Sequence, residues 1–282
     1  LAGAVTSFGQ KYLLWTKRWA EARGLTVLYG DTDSVFIQAA SSQENGSPPH
    51  AAAAGMLALG KKLVAGLNAD LASSIRDEYG LGSHLEVKLE KVYDRFFIPR
   101  LRSGPHADDA VKGRAKGYAG RIPGEGSGPP RLEIKGMEAI RSDGTAFGRA
   151  FQTELLAMVL DRAPRERLRA YVEQAALDLL AGHRDGELVY RKVLRRAPEE
   201  YQKNEPPHVR AARLLGWTKR RGRIEYVMTK NGAEPVKRVT APLDRQHYLD
   251  HVLIPIAASV AETLGMALLR AAPGSGQLEL EW

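Results

Sequence analysis

The stretch Leu25-Thr-Val-Leu-Tyr-Gly-Asp-Thr-Asp-Ser-Val-Phe-Ile37 holds two apolar runs on either side of a short polar segment. β-Branched and aromatic residues dominate both runs, which predicts two short buried strands. A Gly-Asp pair between two such strands is typical of a tight turn, so the stretch predicts a β-hairpin. This hairpin would carry two carboxylates, Asp31 and Asp33, at its tip.

Two neighbouring carboxylates repel each other and lose solvation unless a cation joins them. Mg²⁺ is the natural partner for Asp31 and Asp33, because it prefers hard oxygen ligands and completes its shell with water and substrate phosphates. The alternative is an ordinary turn capped by acidic side chains. The apolar flanks favour the metal interpretation, and both stay open on this stretch alone.

Composition limits the classes of protein that fit the chain. It has 282 residues, 44% hydrophobic and 26% charged, which predicts one large globular domain or two ordinary ones. No apolar run is long enough for a membrane span, and none is expected. The absence of cysteine excludes disulfides, thiolate zinc sites and cysteine nucleophiles, and it agrees with a cytoplasmic location. The chain begins with Leu1 and has no signal-peptide pattern, so a fragment is expected.

The net charge of +8 is concentrated in one part of the chain. Residues 187–238 hold 14 Lys and Arg against 6 Asp and Glu, a local net charge that equals that of the whole chain. A localised excess of positive charge favours a polyanionic partner, with nucleic acid first and an anionic membrane surface second. A basic region that only aids solubility is the competing interpretation.

Hydrophobic periodicity predicts an α+β fold with a change of texture near Gly144. Before Gly144, the strand signals are the hairpin, the alternating segment 85–99 and residues 132–137. After it, residues 224–229 and 236–240 are predicted as strands that pair across an Asn-Gly turn. Helices are predicted over residues 4–23, 51–79, 146–160, 164–181, 207–215 and 248–263, the last one broken by Pro255.

Further polar residues are candidates for the same chemistry. Glu86 and Glu90 alternate with apolar residues, so they either lie near the hairpin tip or face solvent as ordinary strand residues. Lys116 and Tyr118 share one face of a strand, which suits a phosphate backbone but also fits an edge strand guarded by lysine. The sequence contains no phosphate-binding G-x-x-x-x-G-K loop, no G-x-S-x-G elbow and no H-E-x-x-H pair.

The ordered motifs resemble those of the family B DNA polymerases, especially their bacterial repair members. Tyr29-Gly-Asp-Thr-Asp-Ser34 is similar to the second carboxylate motif of the palm, and Leu89 to Pro99 to the strand that follows it. Lys116-Gly-Tyr118 is similar to the K-x-Y element. Lys135-Gly-Met-Glu-Ala-Ile-Arg141-Ser-Asp143 resembles the stretch at the junction of palm and thumb. Pro207-His-Val209 with Ala212, and Ile224-Glu-Tyr-Val227, resemble thumb elements.

This resemblance implies an antiparallel palm sheet with packed helices, followed by a mostly helical thumb with a small β-hairpin. The implied domains are the carboxy-terminal part of a palm over residues 1–143, a DNA-binding thumb over 144–273 and a flexible tail over 274–282. The first palm carboxylate motif and the motif that contacts the incoming nucleotide are absent. We therefore expect a carboxy-terminal fragment of a polymerase that is inactive by itself.

The resemblance also implies roles and partners. Asp33 would be the main metal ligand, with Asp31 close by, in a site of two Mg²⁺ ions that the fragment alone would not bind tightly. Primer-template DNA and, in the intact enzyme, deoxynucleoside triphosphates are the expected partners, on DNA in the nucleoid and away from membranes. The residues expected to bind DNA are Lys116, Tyr118, Lys135, Arg141, His208, Arg210, Lys219, Arg220 and Arg221.

The last six residues carry a separate hypothesis. Gln277-Leu278-Glu-Leu280-Glu-Trp282 follows a Gly-Ser-Gly linker and resembles peptides that dock on the bacterial sliding clamp. Two leucines and a terminal aromatic suit an apolar pocket, and an unordered chain end is the alternative. Two other functions stay open for the chain: a non-catalytic module that binds DNA or tethers it to the clamp, and a metal-dependent nucleotide-sugar transferase with a D-x-D motif.

Overall fold

The computed structural model describes residues 2–31, 33–38, 49–99, 117–124, 128–266, 270–271 and 278–279. Its helices and small sheets confirm the predicted α+β class. The chain divides into two compact units, the first with residues 1–96 and 120–133 and the second with residues 97–119 and 134–282. The predicted domain boundary near Gly144 stays a prediction. Among the described residues, no helix is long and apolar enough to cross a membrane.

Two long helices belong to the first unit. Helix α1 spans Ala2–Glu21 and ends before Gly24, whose φ of +74° is a left-handed conformation that favours glycine. Helix α2 spans Pro49–Tyr79, and Leu67, Leu71 and Ile75 form a buried stripe along it. Both helices confirm the sequence prediction, with ends displaced by two residues at most.

The predicted hairpin is confirmed. Strand β1 (Thr26–Asp31) pairs antiparallel with β2 (Ser34–Gln38), with Asp31 opposite Ser34 and an irregularity between Val27 and Tyr29. Val27 and Ile37 pack against a cluster of Trp19, Ala20 and Leu67. Helices α1 and α2 therefore support the base of the hairpin through apolar contacts.

Residues 85–90 were predicted as part of a strand, and that prediction is wrong: the strand β3 covers only Arg95–Phe97. The segment has no neighbouring strand among the described residues, so no ladder forms. Instead, the Asn68 side chain of α2 donates to the Val87 carbonyl at 2.9 Å and accepts from the Val87 N–H at 2.8 Å. One amide side chain thus supplies the two hydrogen bonds that a paired strand residue would supply.

A second sheet has the strand order β3-β4-β5, where β4 spans Tyr118–Ile122 and β5 spans Arg131–Lys135. Gly120 in β4 lies under the ring of Tyr93, since a Cβ there would come within 2.3 Å of a ring carbon. Arg121 pairs with Asp94 through its guanidinium group. Gly120 and the Arg121–Asp94 ion pair therefore hold residues 93 and 94, which precede β3, against β4.

Two helices of the second unit follow the sequence prediction closely. Helix α3 spans Ala146–Leu160 and helix α4 spans Arg165–Ala181. Thr145 caps α3, because its hydroxyl accepts a hydrogen bond from the Gly148 N–H at 3.0 Å. Gly182, with a φ of +88°, ends α4.

The predicted hairpin across Asn231-Gly232 is confirmed as part of a three-stranded sheet. Its order is β6 (Tyr190–Leu194), β7 (Gly222–Thr229) and β8 (Gly232–Pro235), all antiparallel, and β6 was not predicted. Residues 236–240 were predicted as the partner of β7, which is wrong. The tight Asn231-Gly232 turn places Gly232 opposite Thr229, so the partner strand begins at once and ends at Pro235. Helix α5 (Pro207–Leu214) packs on this sheet through Val209, Ala211 and Ala212.

The last predicted helix consists of three segments. Helix α6 (Arg245–Tyr248) leads into a π-helical turn (Leu249–Leu253) and then into α7 (Ile254–Leu264). Pro255 lies in the first turn of α7, where its missing N–H is tolerated. Farther along, the backbone of β9 (Arg270–Ala271) pairs antiparallel with β10 (Leu278–Glu279).

Replacing Asn68 with alanine tests the amide that holds the Val87 backbone. The Asn68→Ala change leaves an N–H and a carbonyl without protein partners, so we expect the free energy of unfolding to fall by about 1–3 kcal/mol. Chemical denaturation followed by tryptophan fluorescence measures the change. Lys62→Ala, on an exposed position of the same helix, is the matched control. Equal unfolding midpoints for the two variants would contradict the proposed role of the amide.

Candidate catalytic hairpin and nucleic-acid surface

The hairpin tip presents one described carboxylate to solvent. Asp33 is exposed in the turn, and the backbone of Asp31 ends strand β1; nothing is described for Thr32 or for the Asp31 side chain. Phe36 on β2 stacks against Phe96 with ring centroids 5.1 Å apart, and against the ring of Tyr29 at 5.6 Å. A packed aromatic base therefore holds the two strands together below the turn.

The acidic residues of the segment after α2 have no described role at the hairpin. Glu86 is exposed and its carboxylate lies 3.5 Å from the Lys88 ammonium, and Glu90 is exposed as well. Among the described residues, no group of three His, Asp or Glu side chains could hold a metal ion. The described part of the chain thus offers single carboxylates and no complete metal site.

The junction between β5 and α3 is held by a network of charges in the second unit. Arg141 binds both carboxylate oxygens of Asp143 at 2.9 Å, and Lys192 of β6 donates to the same carboxylate. These two cations hold the pKa of Asp143 well below its usual range, with the Arg141 hydrogen bond as the largest cause. Arg149 donates to the Gly144 carbonyl at 2.7 Å and so fixes the turn that follows.

A glycine and a buried amide complete this junction. A Cβ on Gly144 would lie 2.2 Å from a carboxylate oxygen of Glu138, so a larger residue would displace the end of that side chain. The Ala139 N–H donates to the buried side chain of Gln152 at 2.6 Å. Because α3 supplies Arg149 and Gln152, the junction is fixed to a buried helix.

A stack of tyrosines lies under the β6-β7-β8 sheet. Tyr190 stacks on Tyr226 and Tyr248 with ring centroids 5.3 and 5.5 Å apart. The hydroxyl of Tyr248 accepts a hydrogen bond from the Met228 N–H at 2.7 Å. Burial raises the pKa of Tyr226 to about 12, and the nearby Asp143 carboxylate adds to the increase. These phenols are therefore neutral packing groups at physiological pH.

Three comparisons relate the chain to known proteins. DNA polymerase II of Escherichia coli is 38% identical over 272 residues, which cover 92% of this chain and 32% of that protein. DNA polymerase 2 of Aeropyrum pernix is 26% identical over 295 residues, which cover 99% of this chain and 30% of that protein. No protein-family model matches.

The solved structure of the family B DNA polymerase from Pyrobaculum calidifontis has the same fold over 94% of this chain, with a TM-score of 0.56 and 24% identity. Over nearly its whole length the chain is therefore similar to family B DNA polymerases. It spans about a third of the length of the curated relatives named above. The resemblance noted from the motifs, including the likeness to the bacterial members, is confirmed.

The predicted DNA-binding residues have different surroundings. Lys116 lies outside the described residues, and Tyr118 is half-buried at the start of β4. Lys135 is exposed at the end of β5, and Arg141 is paired with Asp143. No observation tests DNA binding by any of these residues.

The predicted thumb residues divide into paired and exposed cations. Arg210 donates to the Asn231 carbonyl and so holds the turn between β7 and β8. Arg220 is 78% exposed with a carboxylate of Glu200 at 3.7 Å, and Lys219 and Arg221 are exposed as well. Lys219, Arg220 and Arg221 form one continuous run, here called the basic turn. The basic turn is therefore the best candidate for contact with phosphates.

His208 and Lys192 lie close to each other in the second unit. Burial lowers the pKa of His208, and the positive charge of Lys192 lowers it further. The ring of His208 meets the ring of Tyr201 edge-on, with centroids 6.3 Å apart. His208 is thus neutral at physiological pH, and it was predicted from its motif alone.

Two residues with many polar contacts were not predicted from the sequence. Lys192 joins the junction to β6 through Asp143. Glu234 of β8 is buried, and its carboxylate accepts hydrogen bonds from the Thr240 N–H at 2.6 Å, the Thr240 hydroxyl at 2.8 Å and the Ala241 N–H at 3.2 Å. A charged residue inside an otherwise apolar strand was the only signal for Glu234, and Lys192, which follows Arg191 in β6, had no such signal.

The Glu234 carboxylate predicts a loss of stability in acid. The Thr240 and Ala241 hydrogen bonds and the charge of Arg210 lower its pKa below the ordinary value. The ionised group therefore stabilises the fold above the pKa of an unfolded glutamate, about 4.3, and this contribution is lost as pH falls through the lowered folded pKa.

We expect Glu234→Gln to be less stable than the wild type at neutral pH and to lose less stability between about pH 5 and pH 2. Thr240→Val removes only the hydroxyl donor and should give an intermediate pH slope. Thermal unfolding across this pH range provides the measurement. Parallel pH profiles for the wild type and Glu234→Gln would show that the carboxylate has no such role.

Proposed function

We propose that the chain supplies a pair of metal-binding carboxylates and a surface that holds DNA for template-directed DNA synthesis. The observation that carries this proposal is the likeness to DNA polymerase II over 92% of the chain, combined with an antiparallel hairpin that has Asp31 and Asp33 at its tip. The proposed reaction of the whole protein is nucleotidyl transfer to a primer 3′-hydroxyl. Its other proposed substrates are deoxynucleoside triphosphates, and its proposed place of action is the DNA of the nucleoid.

The hairpin fits a divalent cation in part. Mg²⁺ is held in proteins by one or two carboxylates, with water and substrate phosphates as its other ligands, and exposed Asp33 at a turn is a donor of this kind. Asp33 would be the main ligand and Asp31 a second one. When bound, Mg²⁺ ions stabilise the negative charge that develops on the transferred phosphoryl group. The packed strands β1 and β2 would hold the carboxylates in fixed positions.

The basic excess of residues 187–238 supports a role in holding duplex DNA. Lys116, Tyr118, Lys135, Arg141, His208 and Arg210 are proposed contacts together with the basic turn. Contacts of this kind go to phosphates, so binding should be independent of DNA sequence. A non-catalytic DNA-binding module is the second candidate for the chain by itself, and the exposed basic turn favours it.

Purified protein tests whether the chain is active by itself. We expect no nucleotide incorporation on primed DNA with Mg²⁺, because the chain carries only the Asp31 and Asp33 pair and lacks a first carboxylate motif. Extension of a labelled primer in a gel assay provides the measurement. Incorporation that is lost in Asp33→Asn would refute the expected inactivity, and it would establish Asp33 as catalytic.

Replacing the basic turn tests the DNA-binding surface. We expect the combined change of Lys219, Arg220 and Arg221 to alanine to weaken binding to primer-template duplex and to reduce the slope of log affinity against log salt by about one for each lost phosphate contact. Fluorescence anisotropy at several salt concentrations measures both quantities. Asp33→Asn serves as a control that should leave duplex binding by this chain intact.

Two results would contradict the DNA-binding proposal. An unchanged salt slope in the triple variant would exclude the basic turn as a phosphate contact. Tight binding of a nucleotide sugar by the wild type, without affinity for duplex DNA, would favour the nucleotide-sugar transferase alternative.

The tail is proposed as a peptide that binds a sliding clamp. Gln277, Leu280 and Trp282 lie outside the described residues, and only the backbone of Leu278 is described. The support is the sequence alone, with apolar anchors after a Gly-Ser linker. Deleting residues 277–282 should abolish binding to a bacterial sliding clamp in surface plasmon resonance without changing duplex affinity. Equal clamp affinity for the full-length and truncated chains would refute this role.

A further inference from the structure

Strand β6 has an inverted pattern of polar and apolar side chains. Val193 is 59% exposed, whereas the Lys192 side chain is 34% exposed and lies on the same face of the strand as buried Leu194. Lys192 is directly opposite Ile224, which is buried, and its neighbours on the same face are Tyr190 and Leu194. An inward-facing lysine beside an outward-facing valine is unfavourable for packing alone, so the position of the ammonium group needs another reason.

The Lys192 ammonium binds the carboxylate of Asp143, which also receives both hydrogen bonds of Arg141. Asp143 therefore joins two cations that come from different elements, one on β6 and one in the junction before α3. The Arg141 side chain is 53% exposed, and its Nη1 has no hydrogen-bond partner among the described residues. Two N–H groups of a guanidinium whose plane is fixed are thus available to an outside acceptor.

The Nη1 edge of the Arg141 guanidinium, which is free among the described residues, favours an anionic acceptor, although the four charges around this link balance one another. Arg141 and Lys192 are balanced by Asp143 and by Glu138, whose carboxylate lies 3.6 Å from the Arg141 Nε. The carboxylates occupy the Nε and Nη2 edge of the guanidinium, so the edge with Nη1 is the one left to an anion. Burial lowers the pKa of His208, the charge of Lys192 lowers it further, and His208 therefore adds no positive charge at neutral pH. Lys192 is bound to Asp143 and acts on the acceptor only through its partners.

We propose that Lys192 is a positioning residue: through Asp143 it fixes the Arg141 guanidinium so that Nη1 binds a phosphate of the DNA backbone. This inference rests on the proposed DNA-binding function. Lys192 would contribute to the DNA interface indirectly, through Asp143 and Arg141, and would not contact DNA itself. This role explains why a lysine occupies the inward face of β6. Because the Arg141 guanidinium is held in place before DNA binds, its side chain loses less conformational entropy when the phosphate contact forms.

The test measures primer-template affinity and its salt slope for a set of variants by fluorescence anisotropy. We expect Lys192→Met and Arg141→Gln each to weaken binding several-fold and to reduce the salt slope by about one. The double variant should bind no more weakly than Arg141→Gln alone, because both changes remove the same phosphate contact. Lys192→Arg retains a cation for Asp143 and should restore the wild-type slope.

The Asp143→Asn variant distinguishes a positioning role of Lys192 from a general electrostatic attraction of the DNA. This change makes the chain more positive by one charge, so electrostatic attraction alone would tighten DNA binding. Loss of the link to Lys192 should instead weaken it. Arg245→Gln is the matched control, because it breaks an ion pair with Asp185 in the same unit, away from the junction. It should lower the melting temperature without changing the salt slope.

The outcomes are distinct. Tighter binding by Asp143→Asn, or additive losses in the Lys192→Met and Arg141→Gln double variant, would overturn the positioning role. Wild-type slopes in both Lys192→Met and Asp143→Asn would overturn it as well while leaving the DNA-binding proposal intact. A wild-type chain that binds no duplex would overturn the DNA-binding proposal and, with it, this inference.

Discussion

Backbone N–H and C=O groups outside helices and strands need hydrogen-bond partners, and in this chain charged and amide side chains supply many of them. Asn68 serves the backbone of Val87, and Glu234 serves the loop at Thr240 and Ala241. Arg213 donates to the Pro198 carbonyl at 2.9 Å and to the Tyr201 carbonyl at 3.1 Å. These contacts add to the backbone hydrogen bonds of the irregular segments in both units; the Pro198 carbonyl, for example, also accepts from the Tyr201 N–H at 3.3 Å.

This constraint decides which cations are available to a nucleic acid. Arg149, Arg210 and Arg213 all donate to backbone carbonyls, so much of their hydrogen-bonding capacity is used inside the fold. The run of Lys219, Arg220 and Arg221 is exposed and has one long contact to a carboxylate. Charge counted along the sequence therefore locates the basic region, whereas the hydrogen bonds separate its structural arginines from its exposed cations.

The features predicted well from sequence are those with a strong local signal. The hairpin at Asp31 follows from two apolar runs around a turn, and α3 and α4 follow from their hydrophobic periodicity. Residues 85–90 alternate like a strand, but alternation does not reveal whether a neighbouring strand exists. The partner of β7 was placed too late, because the tight Asn231-Gly232 turn allows no loop before β8.

The polar contacts of the site were the least predictable part. Lys192 and Asp143 are 49 residues apart, and no periodicity links them. Glu234 and Arg210 likewise owe their roles to tertiary neighbours. The motif that carries Arg141 indicated that the junction matters, but it did not show that the guanidinium binds Asp143 through one edge only. Such links depend on how β6 and α3 pack, and the hydrophobic pattern of the sequence does not specify this packing.

The segment held by Asn68 also bears on the solubility of the chain. Successive residues of an extended segment direct their backbone groups to opposite sides, so those of Glu86 and Lys88 point away from Asn68, and they have no hydrogen-bond partner among the described residues. Such an edge can template the pairing of one molecule with the next. Glu86, Lys88 and Glu90 place charges along it, which discourages edge-to-edge stacking. These three charged side chains therefore protect the segment against aggregation, a role that the packing of the core does not reveal.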